Sequence, residues 1–174
     1  MIKSQNNSKN SWYVIYVRSR HEKNVYSALL NKGIITSLPM KTVIRKWSDR
    51  KKKVQLPLFR GYVFVNINLK IDNLNVLQTP GVVKFIGIRQ EPSRIPDDQI
   101  HWLHMMAAES TSVRNEKEFS AGQRVRVVAG PFKGIEGVVK RVGGRSRLVV
   151  LIESIMQAVS VEIDPSYIEK TKNR

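Results

Sequence analysis

The unbroken aromatic and β-branched run WYVIYV at residues 12–17 has the pattern of a strand covered on both faces. Val25, Ala28 and Leu29 then recur at helical spacing, with Tyr26 and Leu30 beside them. Ser19 followed three residues later by Glu22 reads as a capping box and Gly33 as a C-terminal stop, which predicts a helix between them. Residues 42–47 read as a second strand. Residues 54–67 read as a third, with Tyr62, Val63, Phe64 and Val65 at its buried centre and the polar SDRKKK run as the hairpin tip between the two. A short helix over 72–78 ends at the turn signal Thr79-Pro80-Gly81, and 82–88 form a fourth strand. Pro96, Asp97 and Asp98 open another helix, with Ile100, Leu103 and Ala107 on its inward stripe. Strands and helices alternating in one stretch predict an α/β sandwich over residues 12–107, after a polar tail at 1–11.

From 108 to 120 the periodicity lapses, which predicts a linker. Beyond it, residues 124–128, 135–142, 148–152 and 158–163 are short β-branched runs, with Gly143-Gly144 as a tight turn. Several short strands punctuated by glycine predict a small closed barrel over 121–170. The fold class expected is therefore α+β, an α/β sandwich followed by a β-barrel.

Composition narrows the function. The chain has 174 residues, 41% of them hydrophobic, enough for one medium core or two small ones. Thirty Lys and Arg against fourteen Asp and Glu give a formal charge of +16, so a polyanionic partner is expected, nucleic acid or a nucleoprotein machine before an anionic membrane. The sequence carries neither a secretory h-region nor the roughly 18 to 20 apolar residues of a membrane helix, which predicts a cytoplasmic location and no membrane partner. With no cysteine, disulfides and thiolate chemistry are excluded. The absence of a GxSxG, P-loop or HExxH motif predicts no enzyme, no catalytic residue and no cofactor. His101 and His104 lie one helical turn apart, but His21 is the one other histidine, so two surface histidines are the better reading than a metal site.

Two segments carry a resemblance. WYV at 12–14, LFRGYVFV at 58–65 and TPGVVKFIG at 79–87 resemble, in order and approximate spacing, the amino-terminal domain (NGN) of NusG-type transcription factors. AGQRVRVVAGPFKGIEGVVKRV at 121–142 resembles the family's KOW motif, a glycine-punctuated hairpin opening an SH3-like barrel. A KOW segment alone also occurs in ribosomal proteins, whereas both halves in this order are specific. The resemblance spans residues 12–170. It implies an NGN α/β sandwich, a linker and an SH3-like barrel. It also implies a monomeric, non-enzymatic elongation factor that binds RNA polymerase, bridges the clamp across the DNA cleft and suppresses pausing or termination.

Candidate sites follow from residues and resemblance together. Tyr16, Phe59, Tyr62 and Phe64 are either core or, because alternation along 59–64 does not bury all of them on one face, partly an exposed patch. By resemblance that patch docks on the coiled-coil clamp helices of the polymerase largest subunit, with Arg60 standing where the family commonly has proline. Arg18, Arg20, His21 and Asn24 suit phosphates or splayed bases, or are simply a solvated helix entrance. The resemblance implies a non-template DNA or nascent RNA contact there, with Asn75, Gln78 and Thr79 beside it. Phe132, at a turn tip next to Lys133 and near Ile135, is by resemblance a contact for a termination factor or a small-subunit ribosomal protein. The basic run around Trp47 and residues 50–53 is read as a solvated hairpin whose charge aids encounter with nucleic acid. Ser154-Ile155-Met156-Gln157 replaces the phenylalanine-glycine-arginine segment of housekeeping members. Together with Arg60 this suggests an operon-specific antiterminator, with a housekeeping factor and a KOW-containing ribosomal or ribosome-assembly protein left open. A form with a helical hairpin in place of the barrel exists in the family, but eight valines and five glycines between 125 and 150 predict a permanent β structure here.

Overall fold

The computed structural model describes residues 9–47, 50–88, 91–109, 114–116, 122–142 and 144–171. In chain order the elements are β1 (Ser11–Val17), α1 (Glu22–Asn31), β2 (Ile35–Ser37), β3 (Met40–Lys46), β4 (Lys51–Pro57), β5 (Tyr62–Ile67), α2 (Leu69–Leu77), β6 (Val82–Phe85), β7 (Gly87–Ile88), β8 (Glu91–Pro92), β9 (Arg94–Ile95), α3 (Asp97–Ala108), β10 (Arg114–Glu116), β11 (Gln123–Val127), β12 (Glu136–Val142), β13 (Arg145–Ile152), β14 (Gln157–Glu162) and β15 (Ile168–Lys170). They divide into two units, Met1–Leu38 with Arg60–Asp97, and Pro39–Phe59 with Asp98–Arg174. Among the described residues no helix is long and apolar enough to cross a membrane.

In the first unit the sheet order is β2-β5-β1-β6, with β9 also pairing β1. β1 and β5 run antiparallel in a register that sets Ile15 against Val63 and Tyr13 against Val65. The odd-numbered residues of both strands therefore share a face, and Tyr13, Ile15, Val17, Val63, Val65 and Ile67 form one buried cluster with Val25 and Leu29 of α1, Ile34, and Val76 of α2. Full burial of each aliphatic side chain contributes about 1.5–3 kcal/mol. Val14 and Phe64, on the other face, are also fully buried, so the strand centres are covered on both sides, as the unbroken apolar run predicts.

Several boundaries differ from expectation. The third strand is two, β4 and β5, parted by a turn at residues 58–61 in which Gly61 has φ 79°. A Cβ there would lie 2.9 Å from the Tyr16 ring, so glycine is required both for the backbone and for the space. The fourth strand likewise divides into β6 and β7. α2 starts three residues before the expected 72. Asn68 caps it by accepting from the Lys70 N–H at 3.2 Å, and Asp72 accepts from the Asn68 N–H at 3.0 Å. The Ser19/Glu22 capping box does not form. Arg20 adopts φ 65°, the helix opens at Glu22 behind His21 without a side-chain cap, and the Glu22 carboxylate accepts instead from the Gly61 N–H at 2.8 Å. Gly33, at φ 76°, ends α1 as expected.

In the second unit β3 and β4 form a two-stranded ribbon, and α3 buries Ile100, Leu103, Met106 and Ala107. A six-stranded antiparallel sheet has the order β10-β14-β13-β12-β11-β15. At Gly137 a Cβ would meet the Val149 carbonyl at 2.5 Å, so β12 crosses β13 too closely for any side chain. β10 lies inside the segment expected to be an irregular linker and pairs with β14, Asn115 opposite Val159. The rest of that linker at 110–113 and 117–120, the hairpin tip at 48–49, and Gly143 lie outside the described residues.

Candidate functional site

One end of the first unit's sheet gathers three turns. The Val17 N–H donates to the Gly61 carbonyl and the Arg18 N–H to the Gly81 carbonyl, each at 2.8 Å. Glu22 holds the Gly61 N–H from the third side, a buried charge-assisted bond that fixes the start of α1 against the turn before β5. The His21 N–H donates to the Arg18 carbonyl at 3.0 Å, closing a tight loop in which Arg18, Arg20 and His21 are exposed, as is Asn24 in the first turn of α1. These four exposed residues thus lie within one short stretch, the turn after β1 and the start of α1. Nothing in the sequence announces Glu22 as the residue that braces that turn, because its partner is a backbone group distant in sequence.

Next to this turn, Tyr16 and Tyr62 are cross-strand partners on one face, with ring centroids 5.8 Å apart and planes at 62°. Tyr16 is 39% exposed and Tyr62 partly so. Phe59 and Phe64, the other members of the expected patch, are buried, at 2% and 0%. The break at 58–61 takes Phe59 out of the strand alternation, and Phe64 sits opposite Val14 where β5 is covered on both faces. The exposed aromatic surface is therefore the tyrosine pair, with Arg60 exposed in the turn beside it.

Of the three residues expected near nucleic acid on α2, Asn75 and Gln78 are exposed but Thr79 is 1% exposed. The Thr79 hydroxyl donates to the Asn75 carbonyl at 3.1 Å and accepts from Lys32 Nζ at 2.9 Å. Lys32 also reaches the Asn75 carbonyl at 2.9 Å, a cation at a helix C-terminus where the dipole favours it. Thr79 is thus a corrected assignment: it ties off α2 and is not a surface reader.

The same correction applies in the second unit, where Phe132 is 5% exposed and Ile135 fully buried. The Gly134 N–H donates to the Val127 carbonyl and the Val127 N–H to the Ile135 carbonyl, at 2.8 and 2.9 Å, which folds the tip back and turns the ring inward. Lys133 remains exposed. Met156 is 79% exposed at φ 50°, within the segment that departs from housekeeping members. His101 and His104 are exposed on α3, and no group of three metal-ligating side chains occurs among the described residues.

Residues 10–104 match the family described as "Transcription termination factor nusG". The chain is similar to the "Transcription termination/antitermination protein NusG" of Neisseria meningitidis serogroup B, 30% identical with 91% of this chain and 97% of that protein covered. The protein of the same description from Borreliella burgdorferi is 27% identical, covering 92% and 98%. Among solved structures, one of Thermotoga maritima NusG, concerned with domain interaction, is 26% identical with a TM-score of 0.54, covering 94% of this chain and 98% of that one. With the family match spanning more than half of the sequence and a mixed α/β fold of the same kind, this chain belongs to the NusG family.

Proposed function

We infer that this protein is a transcription elongation factor that binds RNA polymerase and suppresses pausing or termination, acting by binding and not by catalysis. The observation that carries the reading is the meeting, at one sheet end, of an exposed tyrosine pair with a hydrogen-bonded basic turn, in a member of the NusG family. Tyr16 and Tyr62, edged by Arg60, form the docking surface for the clamp helices of the largest subunit. Arg18, Arg20, His21 and Asn24, with Asn75 and Gln78, face the non-template strand or nascent RNA. A factor that contacts both walls of the cleft favours the closed clamp over the paused conformation, as a ligand with differential affinity must. The six-stranded sheet is read as an SH3-like barrel that recruits a termination factor or ribosomal protein through the end carrying Lys133.

Arg60 and the exposed Met156 favour an operon-specific antiterminator. Coverage of nearly the whole length of relatives named for both termination and antitermination favours a housekeeping factor. In-vitro transcription through a factor-dependent terminator separates the two, since an antiterminator raises readthrough and a housekeeping factor lowers it. For the docking surface, Tyr16→Ala with Tyr62→Ala is expected to weaken polymerase binding roughly thirty-fold, the equivalent of about 2 kcal/mol at an interface anchor. A folded double variant that binds polymerase at full strength removes the docking assignment. Arg18→Ala with His21→Ala is expected to impair recruitment at a pause site more than binding to polymerase alone.

A further inference from the structure

The basic turn between β1 and α1 is pinned at both ends to one residue. Gly61 accepts from the Val17 N–H through its carbonyl and donates its own N–H to the Glu22 carboxylate, each at 2.8 Å, so residues 18–21 form a loop whose two flanks meet at Gly61. Gly61 itself lies between Arg60 and Tyr62, which form the exposed surface together with Tyr16. Within the loop the His21 N–H closes a turn on the Arg18 carbonyl at 3.0 Å, and Arg20 alone of its residues has a positive φ, 65°. That is the pattern of a type II turn, whose third position takes glycine or asparagine. An arginine there is held against its own backbone preference, and such strain persists only where the surroundings over-determine it. The Arg18 N–H on the Gly81 carbonyl and the Val17 N–H on the Gly61 carbonyl are backbone tethers. Glu22, 5% exposed, supplies the side-chain tether to the segment that carries Arg60 and Tyr62.

We propose that Glu22 is a positioning residue that couples the tyrosine surface to the basic turn, so that a factor docked through Tyr16 and Tyr62 presents Arg18, Arg20 and His21 to nucleic acid in one geometry. The proposal rests on the reading of that turn as a nucleic-acid contact. The tyrosines keep their place without Glu22, because they are cross-strand partners in the β1–β5 ladder. The turn does not. Releasing its far end leaves the Gly61 N–H unpaired in the interior and lets Arg20 leave the left-handed region. Two contacts held in a fixed relation make the second intramolecular once the first has formed, and that gain is lost when the relation loosens. A carboxylate in the first turn of α1 also suits the helix dipole. Were that its whole role, removing it would lower stability and scale every affinity alike.

The test compares binding of the full-length protein to core RNA polymerase and to an elongation complex assembled with nascent RNA and a complete non-template strand. The ratio of the two affinities is the gain that nucleic acid supplies. Glu22→Ala is expected to change core-polymerase affinity by less than about twofold and to lower the gain roughly tenfold. Glu22→Gln, whose amide oxygen still accepts from Gly61, is expected to keep most of it. Adding Glu22→Ala to Arg18→Ala/His21→Ala is expected to lower the gain no further than that pair alone, because all three act through one turn. In amide hydrogen exchange on the free protein, Glu22→Ala is expected to speed exchange at Gly61, Arg18 and His21 roughly tenfold, while Val63 and Val65 at the strand centre keep their protection. Where Glu22→Ala does not fold, Glu22→Asp, which keeps the charge but stops one methylene short of Gly61, takes its place in both measurements. Equal losses toward core polymerase and elongation complex, a gain kept by Glu22→Ala but lost by Arg18→Ala/His21→Ala, or unchanged exchange at Arg18 and His21 would each overturn the coupling and leave the reading of the turn standing. A gain kept by Arg18→Ala/His21→Ala would overturn that reading, and the coupling with it.

Discussion

Arg147 carries a guanidinium into the interior of β13, at 2% exposure. Such a charge is tolerated where its donors are satisfied: Nε donates to Ser160 Oγ and Nη2 to the Ser160 carbonyl, both at 3.0 Å, and Glu162 lies 3.7 Å away. His104 shows the opposite balance. Desolvation, and then the charge of His101, hold its imidazole below the ordinary 6.5, so the folded state favours the neutral ring. The unfolded chain takes up the proton first as pH falls. The stabilising contribution is therefore complete above pH 6.5 and is lost as pH falls below it toward the folded value. An NMR titration is expected to give His104 a midpoint below 6.5, with His101→Ala raising that midpoint without restoring it fully, since desolvation is the larger cause. An unshifted midpoint in the intact protein contradicts this account.

Among the elements, β1 is readable from its unbroken apolar run and α1 from apolar positions at helical spacing. The β4/β5 break is not, since in LFRGYVFV Arg60 and Gly61 alone interrupt the apolar run and the turn rests on the φ of Gly61. β10 is legible from neither period nor propensity; Arg114–Glu116 is a strand because β14 offers it an edge, a tertiary effect that overrides local preference. The same reason limits the site. Exposure of Arg18, Arg20, His21 and Asn24 follows from their polarity, whereas burial of Phe59, Phe132 and Thr79 depends on what covers a second face or folds back a turn, which one-dimensional pattern does not encode. β10 leads to a direct test. A fragment of residues 117–174 lacks it and is expected to be less stable than 110–174 by about 1–2 kcal/mol, three cross-strand pairs' worth, with a melting temperature lower by roughly 4–8 °C per kcal/mol. Equal melting temperatures would mean that β10 contributes nothing to the sheet.

For the whole molecule, the formal charge of +16 makes every encounter with nucleic acid salt-dependent, and the permanence of the second unit's β structure decides which surfaces are available for such encounters. Val125, Val127, Val128, Val138, Val139, Val142, Val149 and Val150 are β-branched, and glycine occupies 130, 134, 137, 143 and 144. In a helix interior each glycine costs roughly 0.8–1.0 kcal/mol relative to alanine and each valine several tenths, so a helical form of this stretch begins several kcal/mol behind. The strands observed instead satisfy one another, β12 with β13 through five residue pairs and β13 with β14 through six. A ligand that recruits a helical form has to supply the whole deficit through differential affinity, since equal affinity for both forms shifts nothing. Backbone NMR of the intact protein and of the 110–174 fragment is therefore expected to give matching β-type shifts from Val138 to Val150 in both samples. Helical shifts there in the intact protein alone would show that its first unit holds the segment in another fold.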